Sequence, residues 1–118
     1  MGTEEVLKVG RRYPAQVIDV TGGDPVILVV DFEIERRQRV RQHLYLDRVQ
    51  ATGDTAAAIV RERVAGQSVE VEITKRTPDG GYLAEVYYYQ PITEDDEVEY
   101  ASLVNLSDEL LRLDRSKN

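Results

Sequence analysis

Cysteine is absent from this 118-residue chain, so it can build no disulfide, no thiolate nucleophile and no cysteine-ligated zinc or iron–sulfur site. Histidine is nearly absent: the single His43 cannot anchor a multi-histidine metal centre, which leaves oxygen ligands as the metal chemistry open to the chain. Positive charge is scarce, with 15 Lys and Arg against 22 Asp and Glu and a net charge of −7. A polyanion such as DNA therefore meets average repulsion, and nucleic-acid affinity has to come from a local basic patch or a bound cation. Long apolar runs are missing too. No stretch approaches the roughly 18 apolar residues of a membrane span, and Met1–Lys8 is acidic without an apolar core of signal-peptide length. The expectation is a cytoplasmic chain with no membrane contact. What is present, 42% hydrophobic and 31% charged residues, suits one compact domain with a single core. We expect a single domain over 1–118, with its core at about 12–113 and flexible ends at 1–10 and 114–118.

Periodicity places the elements. Tyr13, Ala15 and Val17 alternate with polar residues up to Val20, and Thr21–Pro25 supplies a turn. Val26–Phe32 is almost continuously apolar and β-branched, which predicts a central strand either buried on both faces or bent within a small barrel. Glu33–Gln38 reads as a hairpin, and Arg39–Leu46 returns as a third strand to complete a meander. Asp54 or Thr52 can cap a helix over about 54–65, in which Ala56, Ile59, Val60 and Val64 share one stripe and Gly66 stands where a left-handed terminator is wanted. Ser68–Thr74 alternates strictly, Pro78–Gly81 is a turn, and Tyr82–Tyr88 is β-prone, giving a second hairpin. Thr93–Glu97, with four carboxylates in five residues, reads as a solvated loop. Ser107 then caps a short helix, with Leu106 placed to staple onto Leu111. The order predicts a mainly β protein with α: a five-stranded OB-type β-barrel with a helix between strands 3 and 4 and a short C-terminal helix.

On these residues the chain resembles the staphylococcal-nuclease-like (thermonuclease) domain from about Tyr13 to Leu113. The resemblance rests on the order and spacing of several short pieces: Val17-Ile18-Asp19 with the turn at Gly23-Asp24, Arg39-Val40-Arg41, Leu46-Asp47, Ile59–Gly66, Val69–Glu72, Tyr82–Tyr87 and Asn105–Arg112. It implies calcium-dependent phosphodiester hydrolysis, in which two aspartates hold the ion, a glutamate assists the attacking water and two arginines bind phosphate. Those roles are physically coherent, since oxygen ligands suit calcium and guanidinium groups neutralise charge developing on phosphorus.

Carried over position by position, the resemblance puts Asp24 and Asp47 at the metal-binding aspartates, with Pro25 after the first departing from the family's threonine. Gln50 stands where the water-assisting glutamate belongs. A neutral amide holds a water but cannot take its proton, forfeiting a term of roughly 10²- to 10⁴-fold. The first phosphate-binding arginine falls on Arg41 by local match and on Gln42 by counting back from Asp47. A one-residue slip turns a strand side chain to the other face unless a bulge absorbs it. The second arginine position, just before Tyr82, holds Gly81. Arg76, across the hairpin, is a candidate substitute.

Each feature also has a plain structural reading. Asp24 and Asp47 fit local hydrogen-bond acceptors at turns. Arg36, Arg37, Arg39 and Arg41 form either a phosphate-binding stripe or the charged edge of a hairpin that deters sheet-to-sheet aggregation. Tyr82 and Tyr87–Tyr89 either stack nucleobases or fill and rim the barrel. His43 has no identifiable catalytic partner. The acidic run Glu94–Glu99 is a solvated linker or a contact for a basic partner. Together these observations lead to an expectation of a catalytically degenerate, nuclease-like OB module that needs no cofactor and binds protein, with nucleic acid the weaker partner. The alternatives are a divergent calcium-dependent phosphodiesterase using Asp24, Asp47 and Arg41, and a single-strand binder using Arg36–Arg41 and Tyr87.

Overall fold

The computed structural model describes residues 7–21, 25–35, 38–49, 53–94 and 97–115. Six strands and two helices follow in the order β1 (Arg12–Thr21), β2 (Ile27–Glu35), β3 (Gln38–Leu46), α1 (Gly53–Val64), β4 (Ser68–Arg76), β5 (Tyr82–Glu94), β6 (Glu97–Asn105) and α2 (Leu106–Arg115). Antiparallel pairing runs β3-β2-β1-β4-β5-β6, and a parallel pairing of Leu44–Leu46 with Tyr82–Ala84 joins β3 to β5. That pairing closes five strands into the expected OB-type barrel, with α1 between β3 and β4 and α2 at the C-terminal end.

Period-two burial sets the barrel interior. Val17, Leu28, Val30, Phe32, Leu44, Val71, Ile73, Ala84 and Val86 are fully buried, while their strand neighbours face outward. The Tyr13 ring meets Phe32 edge-on, with centroids 6.1 Å apart. α1 buries Ala57, Val60 and Val64 against this core. It ends at Gly66, whose φ of +73° lets its N–H donate to the Val17 carbonyl at 2.9 Å. The Gln67 carbonyl accepts from Val17 N–H at 3.0 Å, so the end of α1 and the start of β4 are hooked onto β1 beside its bulge at Val17/Asp19.

For β2 the barrel alternative holds: Ile27 and Val29 remain half-buried, so one face is covered and the apolar run reflects barrel curvature. Three expectations change. Of the expected Thr93–Glu97 loop, Thr93, Glu94 and Glu97 belong to a hairpin ladder in which β5 and β6 pair from Tyr87↔Asn105 to Glu94↔Glu97, and Asp95 and Asp96 lie outside the described residues. β5 is 13 residues long, roughly 43 Å at the usual strand rise, so it outruns the barrel and carries the extra strand. Ser107 does not cap α2: the Asn105 Oδ1 accepts the Asp108 N–H at 2.9 Å, which makes Asn105 the cap, and the Ser107 hydroxyl donates to the Asp47 carbonyl at 2.8 Å. The N-terminal segment is anchored before residue 12, with Leu7 fully buried and Gly10 N–H bonded to the Ile73 carbonyl at 2.7 Å.

Candidate functional site

Of the candidate positions, Asp47 and Gly81 lie at the end of the barrel where β3 leaves for α1 and where the β4–β5 hairpin returns. β3 keeps its register with β2 from Val40 to Leu44, so Arg41 and Gln42 take opposite faces. Gln42 lies across from the fully buried Val30. Arg41 lies on the outer face, where it grips the Asp31 carboxylate at 2.8 Å through Nε and 3.2 Å through Nη2. The guanidinium holds Asp31 below the usual carboxylate range, and the carboxylate in turn raises Arg41. Six residues of extended chain, roughly 20 Å, separate Arg41 from Asp47, and the structure does not bring the two together. Arg39 is exposed opposite Glu33. Asp24, Arg36, Arg37 and Gln50 lie outside the described residues.

Asp47 sits at the bend where β3 ends. Its N–H donates to the Ala84 carbonyl at 3.0 Å, and its own Oδ1 accepts the Arg48 N–H at 2.9 Å, the local turn bond of an aspartate at a strand end. Arg48 follows in a left-handed conformation, φ +68°, that costs a non-glycine residue free energy. The turn aims its guanidinium into a carboxylate cluster. Glu85, buried on the outer face of β5, accepts from Arg48 Nε at 2.7 Å and Nη2 at 2.8 Å. The Asn105 amide donates to Glu85 at 3.0 Å, and Arg48 Nη2 also reaches Asp108 Oδ1 at 2.9 Å. Glu85 and then Asp108 hold Arg48 firmly protonated. One arginine thus ties the end of β3, the middle of β5 and the first turn of α2 together. A calcium ion asks for six to eight oxygen ligands. Among the described residues no group of three or more His, Asp or Glu side chains is placed to hold a metal, Asp24 lies outside them, and Glu85 and Asp108, the carboxylates near Asp47, share the Arg48 cation.

Gly81, at the position of the second arginine, is buried and closed in. A Cβ there would lie 3.1 Å from Tyr45 Cε2, 3.2 Å from the His43 carbonyl and 3.2 Å from Thr77 Oγ1. The Tyr45 ring is fixed by its hydroxyl, which donates to Asp79 at 2.7 Å, and Asp79 also accepts from the Thr77 hydroxyl and the Gly81 N–H. Bonds from Thr77, Tyr45 and Gly81 lower the Asp79 pKa to about 2, and the same carboxylate raises that of Tyr45. The hairpin tip is therefore a closed hydrogen-bonded knot.

The tyrosines divide by strand parity. Tyr82 and Tyr88 are buried, whereas Tyr87 and Tyr89 face outward. The Arg12 guanidinium lies 4.1 Å over the Tyr87 ring, and the Tyr89 hydroxyl donates to Glu70 at 2.6 Å. Beside Tyr89 the outer surface opens into a groove of about 640 Å³ lined also by Pro14, Gln16, Asp31, Glu33, Arg39 and Glu70.

The Arg48–Glu85–Asn105–Asp108 cluster was not legible in the sequence. Alternation puts Glu85 on the outer face beside Leu83 and Tyr87, but its burial depends on β6 and α2 lying over it. Only the Asn105–Asp108 spacing, a cap and the third residue of a helix, was a usable signal. Comparison with protein-family models, with curated proteins and with solved structures gives no match to this chain.

Proposed function

We propose that this chain is a non-hydrolytic binding module, a nuclease-like OB barrel that engages a protein partner and does not cut phosphodiesters. The observation that supports it most is at Gly81. Phosphate chemistry of the kind the resemblance implies needs a second cation there, and the ring of Tyr45, the His43 carbonyl and the Thr77 hydroxyl crowd the first carbon of any side chain at that position to 3.1–3.2 Å. Arg41 adds to this, because its guanidinium is engaged by Asp31. Protein is the favoured partner over nucleic acid because the outward Tyr87 face is covered by Arg12, and because the β5–β6 half of the molecule is rich in carboxylates.

The test is a cleavage assay on single-stranded DNA and RNA with calcium titrated into the millimolar range. No turnover is expected. Turnover that disappears on Asp24→Asn would overturn the reading in favour of a divergent phosphodiesterase.

A further inference from the structure

β6 differs from the other five strands in having one neighbour. It is bonded to β5 alone, and among the described residues no strand lies along its other side. A nine-residue edge, Glu97–Asn105, therefore presents alternate N–H and C=O groups that another strand can complete. Proteins commonly blunt such edges with lysine, proline or short length. β6 has no lysine, arginine or proline. β3 makes a useful contrast: it meets β5 only at Leu44–Leu46, but its open stretch carries Arg39 and Arg41.

Two further features say what would lie on this edge. Leu103 is 40% exposed on the outer face of β6, where an added strand would flank it; Tyr89, opposite it on β5, lies one strand further in with its hydroxyl on Glu70 of β4. Charge selects the occupant. Glu94–Glu99 carries five carboxylates and no lysine or arginine, whereas the other four carboxylates between Arg76 and Arg112 are engaged: Glu85 and Asp108 by Arg48, Glu109 by Arg112, and Asp79 by Tyr45, Thr77 and Gly81. A second copy would bring the same anions, whereas a strand bearing lysine or arginine would meet complementary charge.

We infer that β6 is a docking edge for an extended, lysine- or arginine-bearing segment of a partner protein, which adds as a further antiparallel strand beside β6 and flanks Leu103. The inference rests on the protein-binding reading above. The outer groove is the weaker candidate, because its Asp31 is taken by Arg41 and its Glu70 by Tyr89.

The experiment is residue-resolved amide hydrogen exchange on the full chain with three nine-residue synthetic peptides: one alternating lysine and valine, one alternating glutamate and valine, and the lysine peptide with a central proline. With the lysine peptide at millimolar concentration, alternate amides between Val98 and Val104 should slow at least tenfold. The effect should weaken with salt and fail with the other two peptides. Leu103→Lys, and separately Leu103→Thr, should reduce the effect at least fivefold while the far-ultraviolet circular dichroism is unchanged. Equal protection by the glutamate peptide, or β6 amides protected without peptide in a concentration-dependent dimer, would overturn the inference. Protection confined to β1 and β4 along the groove would also overturn it, while leaving the protein-binding reading intact. No response at any amide to any peptide would count against both.

Discussion

Replacing Arg48 with methionine keeps most of the aliphatic stem and removes the charge that holds the cluster beside Asp47. Glu85 is 7% exposed and would keep only the Asn105 amide at 3.0 Å, losing charge-assisted bonds of 2.7 and 2.8 Å. Breaking a buried ion pair from one side costs about 3–5 kcal/mol. The Arg48 side chain is 44% exposed, so water solvates part of the vacated space and the expected loss falls to about 2–3 kcal/mol. Urea unfolding at pH 7, followed by circular dichroism, should show a midpoint lower by roughly 1–2 M with an unchanged slope. Arg48→Gly supplies an internal control. It loses the same ion pair but relieves the left-handed backbone at φ +68°, so it should be about 1 kcal/mol more stable than the methionine variant. Glu85→Gln combined with Arg48→Met should fall short of the summed single losses by about 1–2 kcal/mol, since the buried carboxylate no longer lacks a cation. An Arg48→Met loss under about 0.5 kcal/mol, or single losses that simply add, would refute the view that this ion pair fastens β3 to β5 and α2.

Gly81→Ala should lower stability by about 1–3 kcal/mol in thermal unfolding, because a methyl 3.1–3.2 Å from three neighbours overpacks the knot; Gly81→Arg should lose at least as much and gain no phosphodiesterase activity. The Asp79 pKa is depressed to about 2 from an ordinary value near 3.8, so its contribution is complete above the unfolded value and disappears as pH falls toward 2. Denaturant titrations between pH 2 and 5 should show a stability slope that flattens in Asp79→Asn. Tyr45 is shifted upward by the same bond, so its contribution is complete below the ordinary tyrosine value and is lost as pH rises through the raised one; Tyr45→Phe should reduce the alkaline loss. Asn105→Ala should cost about 1–2 kcal/mol by removing the α2 cap, a larger loss than Ser107→Ala, as chemical unfolding of the two variants would reveal.

Much of the fold was readable residue by residue. Alternation gave β1, β3 and β4, and the Ala56–Val64 stripe with Gly66 gave α1 to within a residue at each end. Two elements were misread because local sequence admits more than one answer. Carboxylates such as Glu94 and Glu97 suit a loop or a strand edge, and their pairing across β5 and β6 decided for a strand. Asn105 and Ser107 are both good caps, and the pull of the Asp47 carbonyl on the Ser107 hydroxyl left the cap to Asn105. The candidate site was legible only as residue types at positions. Gly81 could be seen to lack a cation, but not that Tyr45, thirty-six residues earlier, closes the space.

By itself the sequence determined the chemistry the chain lacks and the periodicities that build a barrel, because composition and side-chain alternation are local properties of the chain. The tertiary structure alone decided which charges meet: Arg48 with Glu85, Arg41 with Asp31, Tyr45 with Asp79. Those pairings depend on strand register and on the parallel closure of β3 on β5, where a shift of one residue exchanges the two faces of a strand. The same closure left β6 outside the barrel with its edge open, a consequence of sheet order that no window of sequence contains.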